Sequence, residues 1–81
     1  MKQKNESQPC EDIFNDSRRV LAENLRALRK RRNLSQERLA LEANIDRTIV
    51  SKIERELANP SLRVLSKICV TLEVSVARLF Q

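Results

Sequence analysis

The side chains with the most chemistry to offer lie within six consecutive residues, Arg47, Thr48, Ile49, Ser51 and Lys52, which supply a guanidinium, hydroxyls, an apolar branch and an ammonium. On a helix opening after Asp46, Val50 and Ile53 lie three apart and face inward, so the other five are turned out. An α-helix fits the major groove of DNA, and these groups are the ones that read base edges there. Arg47 and Lys52 are the candidates for guanine, against the plainer reading that they are solvated surface. Ile49 is out of place on a polar face unless it meets something. A thymine methyl is one partner; packing into the core is the other.

Catalytic chemistry finds no footing. The chain has no histidine and no glycine, so neither the commonest general base nor a glycine-rich phosphate loop is available. Its two cysteines, Cys10 and Cys69, are far apart and form neither a metal-ligand spacing nor a redox pair. Cys69 reads as a small core residue and Cys10 as a free thiol. The expectation is therefore a protein that is not an enzyme, with no cofactor, no metal and no evident small-molecule ligand.

The outward face of residues 47–52 needs a scaffold, and the apolar spacing supplies one. From Ser17, Leu21, Leu25 and Leu28 recur three and four apart, an amphipathic helix ending near Asn33. Ser35 caps a short helix with Leu39, Ala40 and Ala43 inward, which stops at Asn44, and Asp46 caps the next. Only Asn44 to Asp46 separate these two helices, so they cross steeply, and Ala40 and Ala43 let them approach. The result is a helix-turn-helix running from about Ser35 to Arg55.

After Ala58-Asn59-Pro60, Ser61 caps a fourth helix with Leu65, Ile68, Cys69 and Leu72 inward, and Ser75 caps a short last one carrying Leu79 and Phe80. The fold class is all-α, five helices with no strand. Without glycine, the tight turns fall to Asn33, Asn44, Glu56, Asn59 and Glu73. Asparagine is comfortable in a left-handed conformation; the two glutamates should be strained.

Eighty-one residues leave room for one domain, and 41% hydrophobic with 33% charged residues suits a globular chain. Residues 17–81 form the expected domain; residues 1–16, polar and containing Pro9, read as a flexible tail with Ile13 and Phe14 as tethers. No apolar run reaches the roughly 20 residues a membrane span needs, and no secretory signal is evident, so a cytoplasmic location without a membrane partner is expected. The net charge of +5 is uneven: residues 1–16 hold Lys2 and Lys4 against Glu6, Glu11, Asp12 and Asp16, which leaves +7 on the rest. Such a domain attracts polyanions. Double-stranded RNA is a poor fit, because its major groove is too narrow for a helix and only two phenylalanines are available for stacking.

The stretch LSQERLALEANIDRTIVSKIERELANPSLRVLSKICVTLEVSVARLF resembles the Cro and C1 repressor type of helix-turn-helix domain over about Arg19 to Phe80. LSQ, LA, a turn residue, Ser51, IER and NPSL arrive in register. The resemblance implies a compact five-helix lambda-repressor-like domain. It places phosphate contacts on Gln36 and recognition on Arg47, Thr48, Ser51 and Lys52; the expected DNA-binding set also includes Ile49, from its place on the outer face, and Arg55. It also pairs Arg29 with Glu54 in a structural salt bridge and puts a dimer interface on Val74, Val76, Leu79 and Phe80. The chain departs from the family's glycines at Asn33, Asn44, Glu56 and Glu73.

Within that family, NIDRTIVSKIERE followed by ANPSL is similar to the controller proteins of restriction-modification systems, short homodimers that regulate their own operon and the endonuclease gene. The implied function is a transcriptional regulator binding a palindromic double-stranded DNA operator as a homodimer, with RNA polymerase as a further partner. Two recognition helices related by a two-fold axis reach half-sites about one DNA turn apart. A phage-type repressor, or an antitoxin-like protein that also binds a partner protein, is the alternative.

Overall fold

The computed structural model describes residues 8–81. Four α-helices, α1 (Pro9–Arg31), α2 (Gln36–Ala43), α3 (Arg47–Glu54) and α4 (Leu62–Leu72), are followed by a 3-10 turn, Ala77–Phe80. The described residues contain no strand. The final element is thus a tighter, shorter turn than the fifth α-helix expected from the sequence.

At 1.5 Å per residue, α1 is about 35 Å long. Its buried stripe is Leu21, Ala22, Leu25 and Leu28, joined by Arg29. It starts at Pro9 rather than at Ser17, so residues 9–16 are helical and not part of a tail; residues 1–7 of the expected tail lie outside the described residues. The early turns were hard to read because they pack little: Ile13 is 68% exposed and no tether. Other local forces favour helix there. Proline suits the first helical turn, Glu11 and Asp12 complement the N-terminal dipole, and Arg19 pairs with Asp16 at 2.5 Å. Phe14 is half-buried, with the Arg18 guanidinium 4.4 Å from its ring centroid.

The other helices begin on their caps. Ser35 Oγ accepts from the Arg38 amide at 2.9 Å, Asp46 Oδ1 from Thr48 at 2.8 Å, and Ser61 Oγ from Val64 at 3.1 Å. Each satisfies an amide that the first helical turn leaves unpaired.

All four helices end in the same way. Asn33, Asn44, Glu56 and Glu73 adopt φ of 59°, 57°, 62° and 59°. The residue after each one donates back into the last turn: Leu34 to Arg29, Ile45 to Ala40, Leu57 to Lys52 and Val74 to Cys69, at 2.8–3.1 Å. This left-handed stop is usually built on glycine. Asn59, also expected at a tight turn, does not have positive φ; it precedes Pro60, which pushes its backbone toward extended geometry.

The interior is formed by Leu25 of α1, Leu39 of α2, Val50 and Ile53 of α3, Ile68 of α4 and Leu79 of the final turn. Asn24 Nδ2 ties that turn to α1, donating to the carbonyls of Leu79 at 2.9 Å and Gln81 at 3.1 Å.

Candidate nucleic-acid interface

Asn44, Ile45 and Asp46 turn the chain from α2 into α3. The left-handed Asn44 ends α2, Ile45 tucks against the core, and the carboxylate of Asp46 starts α3 within two residues. Asp46 is held below the ordinary carboxylate range, first by the hydrogen bond from the Thr48 amide and also by the charge of Lys52. It stays an anionic cap at neutral pH instead of a free negative charge beside the outer face.

Val50 and Ile53 anchor α3 in the core. Arg47, Thr48, Lys52 and Arg55 are exposed, and Ser51 is partly exposed among them. The structure therefore brings five of the named residues onto the outer side of one short helix. Ile49 is different: it is half-buried against the core and lines an open groove with Leu57, Ala58, Pro60 and Val64. Of its two readings, this geometry favours packing.

Gln36 opens α2. Its backbone amide and that of Glu37 lie in the first turn, where no intrahelical acceptor exists, which makes this end receptive to an anion. Its side chain is already engaged, with Nε2 donating to Glu54 Oε1 at 3.0 Å.

Glu54 is where the scaffold holds the outer helix. Arg29 Nε donates to Oε2 at 2.7 Å and Arg29 Nη2 to Oε1 at 2.9 Å, while Arg29 Nη1 caps the Leu34 carbonyl at 2.7 Å. Arg26 Nε stands 3.6 Å from Oε1. Burial alone pushes the Glu54 carboxyl up, but hydrogen bonds from Arg29 and Gln36 and the charges of Arg29 and Arg26 outweigh it. The net pKa is lowered and the group is ionised at neutral pH. The carboxylate thus joins α1, α2 and α3. The resemblance named only the Arg29 pair; Arg26, one turn before it on α1, and Gln36 on α2 reach Glu54 only once the three helices have docked.

Of the four residues named for a dimer interface, Val74 and Val76 are half-buried and Phe80 is exposed. Leu79 is not a surface residue: it is 0% exposed, a core side chain seated against α1. The four-residue turn cannot present Leu79 and Phe80 on one face, and α1 takes the leucine. Cys69 is buried and unpaired, and burial pushes its thiol up; Cys10 is exposed. The described residues hold no cluster of metal-ligating side chains.

Residues 25–79 match the helix-turn-helix family model HTH_3, which is more than half of the chain. The chain belongs to this helix-turn-helix family. Control protein C.SmaI of Serratia marcescens is 40% identical over 72 residues, covering 88% of this chain and 86% of that protein. The restriction-modification controller protein C.AhdI from Aeromonas hydrophila superposes with a TM-score of 0.75 at 35% identity, covering 78% of this chain and 96% of that one. The hypothetical transcription factor NHTF from Neisseria superposes at 0.78 with 39% identity, over 83% and 75% of the two chains. This helix-turn-helix chain is a DNA-binding regulator, and α2 and α3 are its motif.

Proposed function

We propose that this chain is a sequence-specific transcriptional regulator that binds a palindromic operator as a homodimer, in the manner of a restriction-modification controller protein acting on its own operon and the endonuclease gene. One observation carries the DNA-reading part. Arg47, Thr48, Ser51, Lys52 and Arg55 stand on the outside of a helix whose inner side and C-terminal carboxylate are locked to the domain. Arg47 and Lys52 supply guanine donors, and Ser51 and Thr48 supply hydroxyls. Arg55, Gln36 and the start of α2 meet phosphates. The controller reading is supported by similarity to C.SmaI over nearly the full length of both chains.

A dimer is proposed because α3, at eight residues, reaches only a few base pairs. Apolar surface stays open near the C-terminus: Val70 is 78% and Phe80 41% exposed, with Val74 and Val76 half-buried against the core between them. No helix among the described residues is long and apolar enough to cross a membrane, in keeping with work on DNA in the cytoplasm.

The test is selection of bound duplexes from a random pool at two salt concentrations. Phosphate attraction is salt-sensitive but sequence-blind, so an enriched palindrome reports base reading by a dimer. Salt-sensitive binding with no enriched sequence would remove the operator from the proposal.

A further inference from the structure

We infer that Arg26, a first-helix residue outside the helix-turn-helix, is a positioning residue for sequence reading, because it caps the C-terminus of α3 from across the domain. The inference rests on α3 being the reading helix. An α-helix leaves its last four carbonyls without intrahelical partners. In α3 these belong to Ser51, Lys52, Ile53 and Glu54. Ser51 accepts from the Arg55 amide at 3.1 Å, Lys52 from Leu57 at 2.8 Å, and Ile53 from Glu56 at 3.0 Å. The Glu54 carbonyl has no backbone donor among the described residues. Its partner is Arg26 Nη2, at 2.5 Å.

The same guanidinium places its Nε 3.6 Å from Glu54 Oε1. Residue 54 is therefore held twice, its carboxylate chiefly by Arg29 and its main chain by Arg26. The two grips lie one helical turn apart on α1. The Arg29 pair holds the carboxylate of residue 54 and the Arg26 bond holds its carbonyl oxygen; two separate off-axis points anchored to α1 together restrain the rotation of α3 about its axis. That rotation sets how Arg47, Ser51 and Lys52 meet base edges. Arg26 also puts a cation at the negative end of the helix dipole, where charge is stabilising.

A simple phosphate contact makes a different demand. Such a contact strengthens binding to every sequence alike and contributes to the salt dependence, whereas a positioning residue acts on the operator alone. The experiment compares the full chain with Arg26→Ala and Arg26→Lys on two duplexes, the selected operator and one of unrelated sequence, across a salt series. Hydrogen exchange of α3 amides is followed in the free proteins. The positioning role predicts that Arg26→Ala binds the operator about tenfold more weakly, as for loss of one charge-assisted hydrogen bond. Binding to unrelated DNA and the salt slope stay as they were.

The amides of the last turn of α3 should exchange faster in Arg26→Ala while those of Leu25 and Ile68 keep their protection. Arg26→Lys, which retains a charged donor, should recover most of the loss. Equal weakening on both duplexes with a salt slope smaller by about one unit would make Arg26 a phosphate contact and overturn the inference. Unchanged exchange in α3 would overturn it too, and that readout stands even if no operator is found. If Arg26→Ala fails to fold, Arg26→Gln, which removes the charged donor while keeping a polar side chain, takes its place: a loss confined to the operator supports positioning, and a loss shared by both duplexes, or none, refutes it.

Discussion

Arg29 and Glu54, 25 residues apart, meet in a two-pronged pair in which both carboxylate oxygens accept from one guanidinium, at 2.7 and 2.9 Å. The Glu54 side chain is only 2% exposed. Such a pair contributes little relative to an apolar replacement of both partners, because desolvation offsets the attraction. Removing one partner is another matter. Glu54→Gln leaves Arg29 buried without its counter-ion and should destabilise by on the order of 3 to 5 kcal/mol. Urea unfolding of the two proteins checks this; a loss of only a few tenths would show that the pair does not hold α3 in place.

The same carboxylate sets an acid limit. Glu54 has a lowered pKa in the folded protein against an ordinary value of 4.5, so the unfolded chain takes up its proton first as pH falls. The stability it contributes is complete above that ordinary value and is lost as pH descends through the folded pKa. Asp46, also lowered, acts in the same direction. Denaturant midpoints should be level from neutral pH down to the ordinary carboxylate range and then fall. In Glu54→Gln the acid limb should be shallower, since one of the titrating groups is gone. An unchanged acid limb in that variant would assign the pH dependence to other carboxylates.

Left-handed glutamates give a sharper test of backbone strain. At φ near 60° a non-glycine residue costs roughly 1 kcal/mol or more relative to glycine. Glu56→Gly should therefore raise stability by about 1 kcal/mol, partly offset by the greater freedom of glycine in the unfolded chain. Glu73→Gly should gain less, because Glu73 also meets Arg32 at 3.1 Å on the surface. Thermal melts of the two variants order the effects; a drop in melting temperature for Glu56→Gly would remove strain from the account of this turn.

These turns also show what the sequence made legible. Asn33, Asn44, Glu56 and Glu73 could be picked out because each stop is local, a left-handed residue followed by an apolar one, and the serine and aspartate caps are local in the same sense. The helix over residues 9–16 was missed because it lacks the buried stripe that periodicity detects. Leu79 was misplaced because a four-residue turn has too little pattern to say which apolar residue α1 will claim. At the site, the outward residues of α3 followed from spacing. The donors from Arg26 and Gln36 did not, since three helices must dock before they reach Glu54.

At the C-terminus the core and the proposed interface differ in burial, Leu79 being fully enclosed and Val76 only partly packed on the core. Leu79→Ala removes a fully buried side chain and should cost about 2 to 5 kcal/mol of stability. Val76→Glu puts a charge on a partly exposed position of the proposed dimer surface and should leave helical content intact while weakening self-association and operator binding together. Sedimentation of the two variants, with circular dichroism as the folding control, distinguishes them. A Val76→Glu protein that dimerises normally would move the interface to other surface, of which the exposed Leu62 and Val70 of α4 are the next candidates.

Base reading is tested most directly at the first residue of α3. Arg47 is exposed beside the Asp46 cap, so its loss leaves the helix start and the core untouched. If its guanidinium reads guanine, Arg47→Ala should cost about 1 to 3 kcal/mol on the selected operator and relax the preference at one base pair of each half-site. Gln36→Ala makes the contrasting case: it removes a donor to Glu54 as well as the proposed phosphate contact, so binding should weaken on every sequence, and the selected sequence should stay the same because Arg29 still holds the carboxylate. Repeating the duplex selection with both variants measures this. An Arg47→Ala protein that weakens on all sequences equally would place Arg47 on the phosphate backbone, and base reading would then rest on Thr48, Ser51 and Lys52.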